Sequence, residues 1–176
     1  REREYAAFVR GHQADGLILL NGRLPSLPGD RRDGANLQTS AMPPIVVACE
    51  RIPESALPTV CFDNTGGARS ATAYLIRMGH RRIAHITGPP DNILTQDRLA
   101  GYQAALGDAK IPLDENLIIE GDFSIESGRA AIRLLGALGE FPTAVFCAND
   151  EMAIGAIAAI KAAGKRVPED VSVIGF

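Results

Sequence analysis

Short segments that are apolar at every position alternate with amphipathic helical segments along this chain, and no other feature constrains the fold as much. A strand that is apolar on both faces is covered on both faces, as in a parallel sheet with helices above and below it. The sequence therefore predicts a doubly wound α/β fold with parallel sheets flanked by helices. The predicted strands are 16–20, 45–49, 59–62, 82–86, 117–119, 144–147 and 171–174.

Four helical segments carry apolar residues three or four positions apart, which is the spacing of one helix face. Each segment is followed closely by a glycine, the residue that most often ends a helix. We expect all of these apolar residues to face the core. They are Ala68, Ala71, Leu75 and Met78, then Leu99, Tyr102 and Leu106, then Ala131, Leu134, Leu135 and Leu138, and finally Ile154, Ile157 and Ile160.

Proline and glycine interrupt this pattern twice in the first part of the chain. Residues 21–44 predict a long loop, and residues 50–58 predict a second irregular stretch. From Asp63 onward the alternation is regular, so we expect a boundary near residues 62–64, with a smaller part before it. The chain begins in a helical segment and ends just after a strand, which leads us to expect the middle of a larger protein.

The charge balance argues against nucleic-acid binding by this chain itself. A net charge of −3 and a pI of about 5.6 leave no broad positive face for phosphates. The densest basic run, Arg77–Arg82, is interpreted as a helix end, where cations are favoured. No apolar run is long enough to span a membrane, so no membrane partner is expected.

The three cysteines are odd in number and lack the spacing of a metal site or a disulfide framework. We interpret them as reduced thiols of a cytoplasmic protein, with Cys61 and Cys147 buried in apolar strands. The chain also lacks the glycine-rich dinucleotide motif, the phosphate-binding loop and the nucleophile elbow. It is therefore predicted not to be an enzyme, and to hold neither a cofactor nor a metal.

Ligands of open parallel sheets bind where the strands end at their carboxyl termini. Four polar or aromatic residues follow predicted strands in this way and predict a ligand site: Asn21, Arg98, Phe123 and Asn149. Three of them have a structural alternative. Asn149 or Asp150 would cap the following helix, Phe123 would anchor the core, and Arg98 would form a surface ion pair with Asp91 or Asp97.

Several blocks in this chain resemble the LacI/GalR family of bacterial transcription regulators. They cover nearly the whole chain in order, and the longest runs from Pro142 to Gly155. The blocks are 62–64, 67–69, 75–84, 87–89, 98–102, 121–123, 142–155 and 167–176. Within the family, residues 21–25, 48–50 and 57–60 most resemble the cytidine repressor branch.

The resemblance implies two similar α/β lobes of the type I periplasmic-binding-protein-like fold, both incomplete here. Residues 1–61 would belong to the first lobe and residues 62–176 to the second. It implies a small-molecule effector, a sugar or a nucleoside, bound between the lobes to modulate binding to operator DNA. It further implies a cytoplasmic homodimer whose helix-turn-helix headpiece lies outside this chain.

The resemblance also assigns roles to single residues. Arg98 would hold ligand hydroxyls or a ring acceptor, Phe123 would stack on the sugar or base, and Asn149 would contact a hydroxyl. Asn21 would contribute from the first lobe, and a further ligand-binding Asp would follow the end of the chain. Cys49 stands where sugar-responsive members often carry a carboxylate, which argues against a hexose effector.

Two other functions stay open at this point. One is a periplasmic sugar-binding protein of a transport system, which shares the fold. The other is an enzyme of sugar or nucleoside metabolism.

Overall fold

The computed structural model describes residues 15–20, 44–52 and 56–176. The chain divides into two compact units, Arg1–Phe62 and Asp63–Phe176. We describe each unit by itself. Their assignment to a first and a second lobe stays a prediction.

The first unit contains a parallel sheet of three described strands in the order β1-β2-β3. The strands are β1 (Leu17–Leu19), β2 (Ile45–Cys49) and β3 (Thr59–Cys61). Ile45, Val47 and Leu57 form its small buried core. At the carboxyl end of the β2–β3 pair, Cys49 lies opposite Cys61.

The second unit has a four-stranded sheet in the order β5-β4-β6-β7, and every pair in it is parallel. Its strands are β4 (Ile83–Thr87), β5 (Ile118–Glu120), β6 (Ala144–Cys147) and β7 (Ser172–Ile174). Its helices are α1 (Asn64–Arg77), α2 (Ile93–Asp108), α3 (Ile125–Gly136) and α4 (Asp150–Ala162). The prediction of parallel sheets flanked by helices is confirmed, and every predicted strand is present to within one residue at either end.

Successive residues of the central strands enter two different cores, as strand geometry requires. Ile83 and Phe146 pack with residues of α1 and α2. Ala84 and Val145 pack with residues of α3 and α4 on the other face of the sheet. This two-sided burial explains why the strands are apolar throughout.

The prediction that the helical stripes face the core is wrong for four residues. Met78, Leu134, Leu138 and Ile154 are exposed. Met78 and Leu138 lie beyond the last residues of α1 and α3, where the chain leaves the packed face. Leu134 and Ile154 lie outside the narrower faces that α3 and α4 bury, because small residues let these helices approach closely.

The two helix pairs pack through glycines. A Cβ on Gly101 of α2 would lie 2.3 Å from the carbonyl oxygen of Thr65 in α1. A Cβ on Gly155 of α4 would lie 1.9 Å from the carbonyl oxygen of Ile125 in α3. Since real Cβ atoms do not approach oxygen so closely, these positions require glycine for steric reasons.

The cysteines differ in their surroundings. Cys147 is fully buried in β6, and burial raises the pKa of its thiol to about 12, with a smaller contribution from Asp150. Cys61 is exposed, so the prediction that it is buried is wrong. The reason is its place on β3, which has a neighbour on only one side among the described strands.

His85 is a buried polar residue at the centre of the second unit. Its ring stacks on Phe146, with centroids 4.6 Å apart, and on Tyr102 at 5.0 Å. Nδ1 hydrogen-bonds the carbonyl oxygen of Phe146 at 3.0 Å, whereas Nε2 has no partner in the described part of the chain. Burial, aided by the positive charge of Arg98, lowers the pKa of His85 to about 4.

This buried imidazole is expected to make stability depend on pH. The unfolded chain binds a proton at His85 below pH 6.5, whereas the folded chain binds it only near pH 4. The free energy of unfolding therefore falls by about 3 kcal/mol as the pH is lowered from 6.5 to 4, because of this group alone. Urea unfolding from pH 7 to pH 4 should show the loss, and His85→Phe should reduce it by most of that amount.

The ion-paired carboxylate Asp170 adds little to the loss between pH 7 and pH 4. Asp170, whose pKa falls to about 2 through its hydrogen bonds with Arg166, loses its contribution only below its ordinary value of 3.8. An equal slope in His85→Phe and in the unmodified protein would contradict the assignment of the loss to His85.

No helix among the described residues combines the length and the apolar composition that crossing a membrane requires.

Candidate functional site

The strand order of the second unit selects one part of its sheet as the expected ligand site. From β4 the chain passes to β5 on one side and then returns to β6 on the other. Ligands of open α/β sheets bind in the crevice outside the carboxyl ends of the strands at such a reversal. We call this region the carboxyl edge, which comprises residues 87–92, 121–124, 148–150 and 175–176 with the side chains that reach them.

Arg98 reaches the carboxyl edge from the second turn of α2. Helical side chains lean toward the amino terminus of their helix, which directs this one back toward the strand ends. Its Nε and Nη2 atoms donate to Oδ1 of Asn64, at 3.0 and 2.9 Å. Its Nη1 atom donates to the carbonyl oxygen of Ala148, directly after β6. The guanidinium thus lies at the reversal between β4 and β6.

An aromatic ring covers this guanidinium. The Cζ atom of Arg98 lies 4.0 Å from the ring centroid of Phe176. A cation over an aromatic face at this distance is attracted by the ring quadrupole. The ring also passes close to Gly67 of α1, where a Cβ would lie 2.8 Å from it. Arg98 is therefore held in one orientation by contacts from α1, β6 and Phe176.

Phe123 has a strained backbone. Its φ angle is +69°, in the left-handed region that residues with a Cβ rarely adopt. Its half-buried ring packs against the core between the sheet and helices α3 and α4. The ring also lies over Gly88, where a Cβ would be 2.1 Å from it. Such strain costs about 1–3 kcal/mol and concentrates at functional sites. The ring thus contacts the core and also lies at the carboxyl edge, so both predicted roles remain open for this residue.

Asn149 caps helix α4 and links two strand ends. Its Oδ1 atom accepts from the backbone N–H of Met152 at 3.0 Å. Its Nδ2 atom donates to the carbonyl oxygen of Phe123 at 2.8 Å. The capping alternative is therefore correct for Asn149, while Asp150 is the first residue of the helix. The same amide positions Phe123.

Asp122 holds the loop that follows β5. Asp122 accepts from the backbone N–H of Ser124 at 3.0 Å and from its hydroxyl at 2.5 Å. Hydrogen bonds from Ser124, and then from Ser127, hold the pKa of this carboxyl below its usual value. Among the described residues, no group of three histidine, cysteine, aspartate or glutamate side chains could hold a metal ion.

The structure brings three of the four predicted site residues to one edge of one sheet. Arg98, Phe123 and Asn149 all lie there, and Asn21 lies outside the described residues. Their ligand-binding roles stay predictions. The sequence did not identify Asn64, which is buried and accepts two hydrogen bonds from Arg98. The sequence feature that could have pointed to Asn64 is its position directly after Asp63, at the start of a helix.

Comparison with known proteins gives concordant matches. Residues 72–176 match the family model of periplasmic binding protein-like domains. The transcriptional repressor CytR of Escherichia coli is 42% identical over 176 residues, which are 100% of this chain and 50% of that protein. The chain thus spans about half the length of the curated relatives it matches.

Two solved structures show the same likeness. A regulatory protein of the LacI family from Chloroflexus aggregans has a TM-score of 0.85 and 34% identity, covering 100% of this chain and 61% of that one. The transcriptional regulator CelR in complex with cellobiose has a TM-score of 0.81 and 39% identity, covering 99% of this chain and 52% of that one. The family model alone covers more than half of the chain. The chain therefore belongs to the periplasmic binding protein-like domain family, and it is similar to LacI-family transcription regulators.

Proposed function

We propose that this chain is part of the effector-sensing core of a bacterial transcription regulator. It would bind a small sugar or nucleoside-like ligand at the carboxyl edge and thereby modulate operator binding by the whole protein. The observation that carries the proposal is the position of Arg98 at the reversal between β4 and β6, on the same carboxyl edge as Phe123. The similarity to CytR and to CelR supports a regulator over a transport protein.

The three residues would act on different parts of the ligand. The fixed guanidinium of Arg98 offers N–H donors in a planar fork, which suits hydroxyls or a ring acceptor. Phe123 would stack on the apolar face of a sugar or a base, as aromatic rings do in ligand sites. Asn149 would contact a hydroxyl while it holds the Phe123 loop, and Asn21 would contribute a further contact from the first lobe.

The ligand would act by changing the populations of two arrangements of the protein. An effector shifts such an equilibrium only by the difference between its affinities for the two states. We propose that operator DNA is bound through a headpiece outside this chain, by a cytoplasmic homodimer, as in the family. The exposed apolar side chains of Ile125, Leu134 and Ile154 support a subunit contact on the outer surface of α3 and α4.

The relatives suggest which ligand class to test. CelR is bound to cellobiose in its solved structure. Residues 21–25, 48–50 and 57–60 resemble the cytidine repressor branch, and CytR is among the similar proteins. Cys49 stands where, by the resemblance, sugar-responsive members often carry a carboxylate. We therefore propose a nucleoside rather than a hexose as the effector class.

A thermal-shift panel on the full-length protein tests this proposal. Nucleosides, purines, pentoses, hexoses and cellobiose would each be added at equal concentration. A ligand at 100 times its Kd stabilises the folded state by about 2.7 kcal/mol, which raises Tm by several degrees. We expect this shift with nucleosides. Stabilisation by hexoses or cellobiose alone would contradict the nucleoside class, and product formation from any compound would contradict a purely sensory role.

A further inference from the structure

Two exposed cysteines lie opposite each other at the carboxyl end of the sheet in the first unit. Cys49 and Cys61 are register partners at the last positions of the parallel strands β2 and β3. Both are exposed. Neighbouring strands lie about 4.8 Å apart, and disulfides form when the Cα atoms are roughly 4.4–6.8 Å apart. In-register residues of a parallel pair also project from the same face of the sheet.

The backbone at Cys49 departs from strand geometry. Its φ angle is +74°, and the N–H of Glu50 donates to the carbonyl oxygen of Ala48 at 3.0 Å. These two features define a γ-turn with a positive φ at its central residue, a strained conformation for any residue with a Cβ. Cys49 is therefore both the last residue of β2 and the central residue of this turn.

This turn matters for the geometry of a bond between the two sulfurs. In a regular parallel pair the Cβ atoms are about as far apart as the strands, ~4.8 Å, slightly more than the roughly 3.5–4.5 Å that a disulfide spans. Closing the gap requires one residue to rotate out of the ladder. Cys49 is the last residue of the ladder, so a rotation there breaks no strand hydrogen bond beyond this residue.

We propose that Cys49 and Cys61 form a reversible thiol–disulfide pair that a hydroperoxide oxidises. The thiolate of one cysteine attacks the peroxide oxygen, forms a sulfenic acid and releases water or an alcohol. The thiolate of the other attacks the sulfenic sulfur, the S–S bond forms, and hydroxide leaves as water. The two thiols lose two electrons and two protons, and one hydroperoxide is reduced.

The chain provides its own control cysteine. Cys147 is buried within β6 and has no register partner that is a cysteine. Burial protects a thiol from both peroxide and alkylating reagents, because the thiolate is the reactive form. Strained or exposed disulfides are the ones that cellular thiols reduce, as expected of a transient bond in a reducing compartment.

The test measures the covalent state of the full-length protein and does not depend on the identity of the effector. The protein is treated with one equivalent of hydrogen peroxide, alkylated, digested and analysed by mass spectrometry, with and without dithiothreitol. We expect a cross-linked peptide pair that contains Cys49 and Cys61, formed within one chain and lost on reduction. Cys147→Ser should give the same result.

The two single-cysteine variants test for the sulfenic acid intermediate. In Cys49→Ser and Cys61→Ser the remaining thiol cannot be resolved, so its sulfenic acid should be trapped by dimedone. Separate alkylation of Cys49 and Cys61 in the treated wild-type protein would overturn the proposal. A cross-link between two chains, shown by a dimer on a non-reducing gel, would overturn it as well.

Discussion

Arg98→Ala is expected to abolish the release of operator DNA by effector in the full-length protein. The guanidinium is held by Asn64, by the carbonyl oxygen of Ala148 and by the ring of Phe176, so the proposed contact with a ligand would need no further ordering of this side chain. A hydrogen bond to a charged group contributes about 1.5–3 kcal/mol. Losing two such bonds between Arg98 and the ligand would therefore lower the affinity roughly 100-fold or more. Calorimetry with the ligand found in the thermal-shift panel measures this loss.

The control variants separate binding from folding. Arg133→Ala removes an exposed arginine of α3 that forms a surface ion pair with Glu126, and it should leave the effector affinity unchanged. Arg98→Lys retains the charge but loses the planar fork, so we expect an affinity near that of Arg98→Ala. Operator affinity without effector should stay close to the wild-type value in all three. An unchanged effector response in Arg98→Ala would remove this residue from the site.

Gly155→Ala is expected to destabilise the second unit strongly. The new Cβ would lie 1.9 Å from the carbonyl oxygen of Ile125 and 3.1 Å from the backbone nitrogen of Arg129. Both are backbone atoms of α3, so the helices must separate. Overpacking usually costs about 1–3 kcal/mol, and a collision with backbone belongs at or above the upper end of that range.

A second glycine in the same unit offers a matched control. Gly107 lies in α2 and is exposed, and a Cβ there would have no atom within 4 Å. Gly107→Ala should therefore stabilise the protein by roughly 0.4–1 kcal/mol, because alanine loses less conformational entropy. Urea unfolding of both variants measures the difference. Equal stabilities would show that α3 and α4 are not packed through Gly155.

The sequence predicted the fold well because burial on both sheet faces leaves a direct trace in composition. β6 needs apolar residues at every position, since Val145 and Phe146 enter different cores. The helices were predicted less well. Apolar spacing marks a face, but it does not show how wide that face is once Gly128 and Gly155 bring α3 and α4 together, which leaves Ile154 outside.

The sequence predicted where the candidate site residues lie, but not the contacts that hold them. Topology brings the strand ends to one edge, which is why Arg98 and Phe123 could be placed there from their order alone. The acceptor that holds Nη1 of Arg98 is a backbone carbonyl, and every residue has one, so no residue type signals it. Cys61 was misjudged for a related reason, because an apolar strand pattern does not show which strand lies at the end of a sheet.

The strand order also determines when the second unit can assemble during synthesis. β4 lies between β5 and β6, yet the ribosome makes β6 only after β5 and helix α3 have emerged. Until then Ile86 and His85 lack the neighbours, Cys147 and Phe146, that β6 supplies. At about 5–20 residues per second, this interval lasts for several seconds. For that time β4 can pair with β5 alone, and its other edge is accessible to chaperones.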